Sequence, residues 1–307
     1  SLLALLAKGV SDERRAAAAT TVWLMMIFGF ALTSGLAGKF LDPYAPEKVI
    51  LISGVISVVA IAITSLALYR LEGVDLENKI INTNQKVPFK TALKEILTDP
   101  DTKRFTIFIF LSMLAFSAQD LILEPFAGII FKYTLGETTS LSGIQHSGVL
   151  TGMLLVAVCG SSRLRRFFGS LRSWMIYGCL ASALAMFGLV IAGILEGEWP
   201  LRLNVFILGL ANGAFSIAAI ASMMRLAVVG GSGKEGVRIG LWGGAQAIAF
   251  GLGGLLGAAA SDLARSLFAN AAWAYASVFF LEAILFVASA YMASLVERKS
   301  SNEIKVG

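Results

Sequence analysis

Apolar runs long enough to cross a bilayer recur along the whole chain, and that repetition leaves few folds open. A hydrocarbon core about 30 Å thick takes roughly 20 apolar residues as a helix, and lipid offers no partner to an unpaired backbone amide. Runs at 16–38, 49–69, 174–195, 203–228, 239–261 and 270–295 read as helical spans. Val49–Tyr69 is rich in β-branched residues and would suit a strand in water; its length and lack of charge make it a helix in lipid. Two shorter apolar runs, 105–118 and 148–159, flank a polar middle and complete the set. The expectation is an all-α polytopic bundle with eight complete spans, two before a polar segment and six after it.

Charged residues make up 15% of the 307, against about 25% in an ordinary soluble domain. The net charge of +5 is concentrated on one set of loops. Of the 25 basic residues, only Lys39, Lys48, Lys132, Arg202 and Arg265 fall on the other set. By the positive-inside rule the basic loops, the polar segment and the C-terminus are cytoplasmic. The charge is thus a topology signal and gives no reason to expect nucleic-acid binding. Cys159 and Cys179 lie inside apolar runs without ligand spacing, as inert buried thiols do.

Residues 71–103 form a linker, within which Phe89, Ala92, Leu93, Ile96 and Leu97 fall on one helical face. The spacing predicts an amphipathic helix over 88–97, lying on the membrane surface or packed beneath the bundle. The opening SLLALLAKGV reads as the tail of a span, so the expectation is a chain whose first spans are absent. An echo supports a two-half plan: Asp12-Glu-Arg-Arg15 and Glu235-Gly-Val-Arg238 each precede a glycine-bearing span. The expected division is 1–70 as the remnant of an N-terminal half, 71–103 as linker, 104–296 as a six-helix half and 297–307 as a cytoplasmic tail.

The polar middle carries Gln119, Asp120, Glu124, Pro125, Glu137, Thr138, Thr139 and the single histidine, His146. Carboxylates near bilayer depth are costly and mark function. Pro125 predicts a helix that kinks or stops near Glu124, with the next span returning from His146. Asp120 and Glu124, four apart, would share a face. Their two readings are a polar cap on a broken span and a binding site; His146 either bonds nearby backbone or serves as a ligand. Glu282, inside FFLEAILF, sits in the middle of the last span, at about 3 kcal/mol on insertion scales. It must be neutral, hydrogen-bonded or paired, with a cross-helix bond, a proton site and a magnesium ligand all open. Four small-xxx-small pairs, 148/152, 209/213, 240/244 and 253/257, read chiefly as helix-packing faces, with a flat surface for a planar ligand as the other option.

QDLILEPFAGIIF followed by GETTSLSGIQHSGVLTGMLL resembles the PucC/LhaA family, the bacteriochlorophyll-delivery branch of the major facilitator superfamily. The resemblance extends more weakly from about 10 to about 297. It implies a major-facilitator-like bundle of twelve spans in a bacterial inner, intracytoplasmic or thylakoid membrane. It also implies an assembly factor that binds chlorophyll or bacteriochlorophyll, with carotenoid or lipid as further ligands, and loads it into light-harvesting or photosystem polypeptides. Membrane lipids and pigment-synthesis enzymes are the other implied partners. A tetrapyrrole magnesium takes one axial carboxylate, imidazole or amide oxygen, and Gln119, Asp120, Glu124, His146 and Glu282 are the candidates, with Phe116 and Phe126 flanking. The basic loop Arg163–Arg172 resembles the facilitator signature but lacks its Asp, which favours a non-transporting role. No phosphate loop, Cys/His cluster or nucleophile elbow is present, so the chain reads as no enzyme. The alternatives are a proton-coupled transporter of a small solute, using Glu282 or Asp120, and a structural subunit of a photosynthetic complex.

Overall fold

The computed structural model describes residues 15–69, 98–159, 169–195, 198–229 and 235–296. Within them are eight helices: α1 (Arg15–Phe40), α2 (Pro46–Leu68), α3 (Pro100–Ile130), α4 (Leu135–Cys159), α5 (Leu171–Ile194), α6 (Leu201–Val229), α7 (Glu235–Leu267) and α8 (Ala271–Leu295). All eight are long and apolar enough to cross a membrane, and no strand occurs among the described residues. The chain is a polytopic helical membrane protein. The expected surface helix at 88–97 and the span tail before Lys8 lie outside the described residues.

Helix starts follow local chemistry more closely than hydropathy. The third span begins at Pro100, ahead of the apolar run. Asp99 caps it by accepting from the Thr102 amide at 3.2 Å, and proline fits the first turn, where its missing donor costs nothing. Pro46 likewise sits in the first turn of α2, there without a side-chain cap. At the far end of α3 the expected break does not occur: the helix runs through Pro125 to Ile130, and only Phe131–Thr134 separate it from α4. A single proline removes one ladder bond, which a long helix held by its neighbours tolerates. Lys132, at φ 57°, makes the turn, and the Tyr133 amide reaches back to Ala127 O at 3.3 Å. α4 then starts with a reciprocal cap. The Glu137 amide donates to Thr134 Oγ1 at 3.2 Å, and the Thr134 amide donates to Glu137 Oε2 at 3.0 Å. The next span therefore returns from Leu135, not from His146. Gly136 and Thr138, which precede the expected start at His146, are buried in its first turns. Asp262–Ser266, expected as a connection, lies inside α7.

Five helices close into a ring in the order α3, α8, α5, α6, α4. Antiparallel α3 and α8 meet through Phe126 and Phe279, ring centroids 4.9 Å apart, and Arg104 near Leu295. α5 runs antiparallel to α8 and to α6, where Ser182 donates to Asn212 at 2.8 Å and Asn204 to Ala185 O at 2.9 Å. α4 and α6 run parallel, with Gly148 and Gly152 meshed against Gly209 and Gly213; a Cβ on any of the four would collide with a backbone carbonyl of the other helix. Lipid gives helices no hydrophobic drive to associate, so close packing of this kind supplies the attraction. Outside the ring, Gly253 and Gly257 seat α7 on α3, whereas Gly240 and Gly244 face nothing within 4 Å. α1 packs on α4, and α2, which buries no residue, packs chiefly on α1 among the described residues. The α3–α4 seam is the lightest contact of the ring.

Three arginines of the basic face finish helix ends. Arg104 and Arg172 donate to the last carbonyls of α8, Leu295 and Ser294, and Arg238 donates to Leu226 O near the end of α6. These carbonyls have no partner within their own helices, and cations suit the negative pole there.

Candidate functional site

The light α3–α4 seam is where the polar residues gather. Ten residues separate Asp120 from the end of α3, so it lies about 15 Å inside the helix rather than at the membrane face. Gln145 Nε2 of α4 donates to Asp120 Oδ1 at 2.7 Å and bridges the seam. Its neighbour His146 lies within electrostatic reach of Asp120, although Asp120 keeps an exposed flank. One turn along α3, Glu124 is exposed and lies in the Asp120 field. Asp120 also acts on Glu282 of α8. The structure thus sets Glu124, His146 and Glu282 within electrostatic reach of the Asp120 carboxylate, from α3, the next helix α4 and the distant α8.

The two buried members differ from the rest. Gln119 is 1% exposed and Glu282 3%, and among the described residues none of their four side-chain polar atoms has a hydrogen-bond partner. The cross-helix bond expected of Glu282 is not made. The register set by Phe126–Phe279 and Arg104–Leu295 brings Gln119 and Glu282 to about the same level of the antiparallel pair. A buried polar group without a partner costs on the order of 1–3 kcal/mol. Tyr275, two turns from Glu282 on the same face, leaves its hydroxyl unpartnered as well.

His146 has a defined tautomer. Its Nδ1 lies 2.8 Å from Ser142 O, and a carbonyl only accepts, so Nδ1 carries the proton. In the neutral ring that leaves the lone pair on Nε2. Phe30 of α1 meets the imidazole edge-on at 5.4 Å between ring centroids. A metal-ligating histidine is held in this way, with one ring nitrogen donating to backbone and the other free.

Phe126 is fully buried against Tyr275 and Phe279, and Phe116 stacks on Phe250, so both expected flanking rings belong to the core. Gln145 was not among the expected site residues. Its signal was weak, since this amide stands directly before the only histidine in a span that also carries Ser142, Ser147 and Thr151. Among the described residues no group of three or more His, Cys, Asp or Glu is arranged to hold a bare metal ion.

A family model described as "PUCC protein" matches residues 1–301. The chain is 47% identical over 300 residues to the "Bacteriochlorophyll synthase 44.5 kDa chain" of Rhodobacter capsulatus, covering 96% of this chain and 67% of that one. It is 26% identical over 304 residues to "Protein PucC" of the same organism, covering 96% and 64%. To "Protein PucC" of Cereibacter sphaeroides it is 29% identical over 233 residues, covering 75% and 48%. The chain thus spans about two thirds of the first two relatives and about half of the third.

Proposed function

The chain belongs to the PUCC protein family, and on that premise we propose that it handles (bacterio)chlorophyll during the biogenesis of photosynthetic complexes. In this reading it is a non-catalytic assembly factor that holds the pigment in the membrane and passes it to light-harvesting or photosystem polypeptides. The observation that carries the reading is His146. Its Nδ1–H is committed to Ser142 O, which leaves an Nε2 lone pair of fixed orientation that would ligate the pigment's magnesium. The residues present fit a magnesium tetrapyrrole. When bound, the pigment would supply the light-absorbing ring and a magnesium that takes a protein ligand. His146 would hold that magnesium, Gln145 and Asp120 would set the polarity beside it, and the exposed flank around Asp120 would give a large planar ligand access that the buried Gln119 and Glu282 lack.

The test is the absorption spectrum of the gently purified protein reconstituted with the pigment. His146→Leu should lose the bound spectrum while folding normally, and Gln145→Leu should keep it with a shifted band. A bound spectrum unchanged in His146→Leu would remove this site from the reading.

A proton-coupled transporter remains the second reading because Glu282 lies buried, unpartnered and in the field of Asp120. Asn204 and Asn212, which would line a polar pathway, are instead tied to Ala185 O and Ser182. In the division proposed for the chain, 1–70 belongs to an N-terminal half and 104–296 forms a six-helix, major-facilitator-like half, with the arginine-capped face in the cytoplasm. A cysteine at exposed Lys132 should then label only from the opposite side.

A further inference from the structure

At the end of the bundle away from the capping arginines, α1, α4 and α6 meet around a polar crevice of about 400 Å³. Lys39, Asp42, Glu137 and Arg202 line it at the helix ends, and Ala31 and Ser147 line its inner end. Along α4, from Glu137 to Ser147, it runs about 15 Å. Tyr133 and Trp199 lie at the same end of the bundle, as aromatic residues do at the level of lipid headgroups. The volume lies within the range of roughly 300–1,000 Å³ usual for small-ligand pockets.

The acids of the crevice are turned into the protein, and the cations are not. Asp42 Oδ2 accepts from Thr134 Oγ1 at 2.7 Å, and its Oδ1 is buried, out of reach of anything in the crevice. Glu137 Oε2 accepts from the Thr134 amide at 3.0 Å in the α4 cap. Arg202 lies over the Tyr133 ring, 5.7 Å from its centroid, and approaches the other Glu137 oxygen only to 3.8 Å. Lys39 is exposed and has no partner among the described residues. A ligand entering here meets an unpaired ammonium from α1 and a loosely held guanidinium from α6.

We infer that this crevice binds a phosphate ester of net negative charge, its oxygens shared between Lys39 and Arg202. The same chemistry is carried by the headgroup of an anionic phospholipid and by a free phosphate ester. A guanidinium offers phosphate a fork of paired donors, and an ammonium adds a compact charge beside it. The two come from different helices, so one anion between them relieves two cations that the fold leaves without a full counter-charge. The Asp42 charge works against an anion, and removing it should strengthen binding. A ligand that donated to a carboxylate would respond with the opposite sign.

Native mass spectrometry of the detergent-purified protein tests this, with phosphatidylglycerol and diacylglycerol of identical chains and with glycerol 3-phosphate as the probe without chains. Phosphatidylglycerol should bind about tenfold tighter than diacylglycerol, equivalent to about 1.4 kcal/mol. Lys39→Gln with Arg202→Gln should bring it to the diacylglycerol level while leaving helix content unchanged, since both side chains are exposed. Lys39→Arg with Arg202→Lys keeps both charges and should keep the preference. Lys132→Gln removes an exposed cation outside the crevice and should leave it untouched. Asp42→Asn should raise phosphatidylglycerol affinity, and high salt should lower it. Tight phosphatidylglycerol with weak glycerol 3-phosphate identifies the lipid as the source, and comparable binding of both identifies a free ester. Phosphatidylglycerol no tighter than diacylglycerol, with glycerol 3-phosphate unbound, overturns the inference. So does a preference that survives Lys39→Gln with Arg202→Gln. So does a fall in phosphatidylglycerol affinity in Asp42→Asn, which would mean that the ligand donates to that carboxylate.

Discussion

Where α4 lies along α6, four glycines bring two backbones into contact, and the geometry admits no side chain. Where α3 lies along α8, the contact is built from rings, with Phe126 edge to face against Tyr275 and Phe279, and Gln119 and Glu282 remain in it without partners. Both contacts cross the same bilayer within the same ring of helices. The difference teaches where this bundle tolerates polar groups. Backbones in direct contact leave no volume for a side chain of any kind. Large rings tile a surface less completely, and a side chain left among them keeps whatever polarity it has. The α3–α8 contact therefore carries a cost the α4–α6 contact does not, and it carries it beside Asp120, where α3 and α4 are most lightly joined.

Breaking the glycine contact should have the largest effect. In Gly152→Leu the side chain runs into Leu210 O, backbone that cannot step aside. The folded state should lose at least about 3 kcal/mol, read as a lower unfolding midpoint in mixed micelles. A midpoint near wild type would mean that α4 and α6 slide freely and that the two contacts do not differ in kind. The intermediate effect has the opposite sign. Glu282→Leu replaces an unpartnered carboxyl with a hydrocarbon of similar size and should raise the midpoint by about 1–3 kcal/mol. A comparable fall would show that the carboxyl has a bonding partner in the membrane and would put the ring-built contact on the same footing as the glycine one. The smallest effect sharpens the comparison within one motif type. Gly240 and Gly244 have the same spacing as Gly148 and Gly152 but face open space. Gly240→Ala should stabilise by about 0.5–1 kcal/mol through helix propensity alone. A loss would reveal a helix seated on that face of α7.

Much of the site was legible because cost shows in sequence. Asp120, Glu124, His146 and Glu282 stand out from apolar surroundings without any coordinates, and the structure brings all four into one electrostatic neighbourhood. Gln145 was passed over because its worth depends on what stands opposite, and the Asp120 it bonds lies on another helix. Pro125 does not stop the helix: sequence registers a missing donor, whereas the neighbours that hold the helix together through it belong to other spans. The four small-xxx-small pairs look alike in sequence, yet three are packed and one is open.

The sequence by itself determined the class, the eight spans and the bunching of basic residues at one face, because hydrocarbon thickness and the absence of water act on each segment alone. Tertiary structure decided which spans are neighbours, which glycines touch backbone, which nitrogen of His146 is free, and that Gln119 and Glu282 share a level without a bond. These follow from the rotation and register of one helix against another. Without a hydrophobic drive between helices in lipid, small differences in packing over the whole bundle set that rotation, and no single segment encodes it.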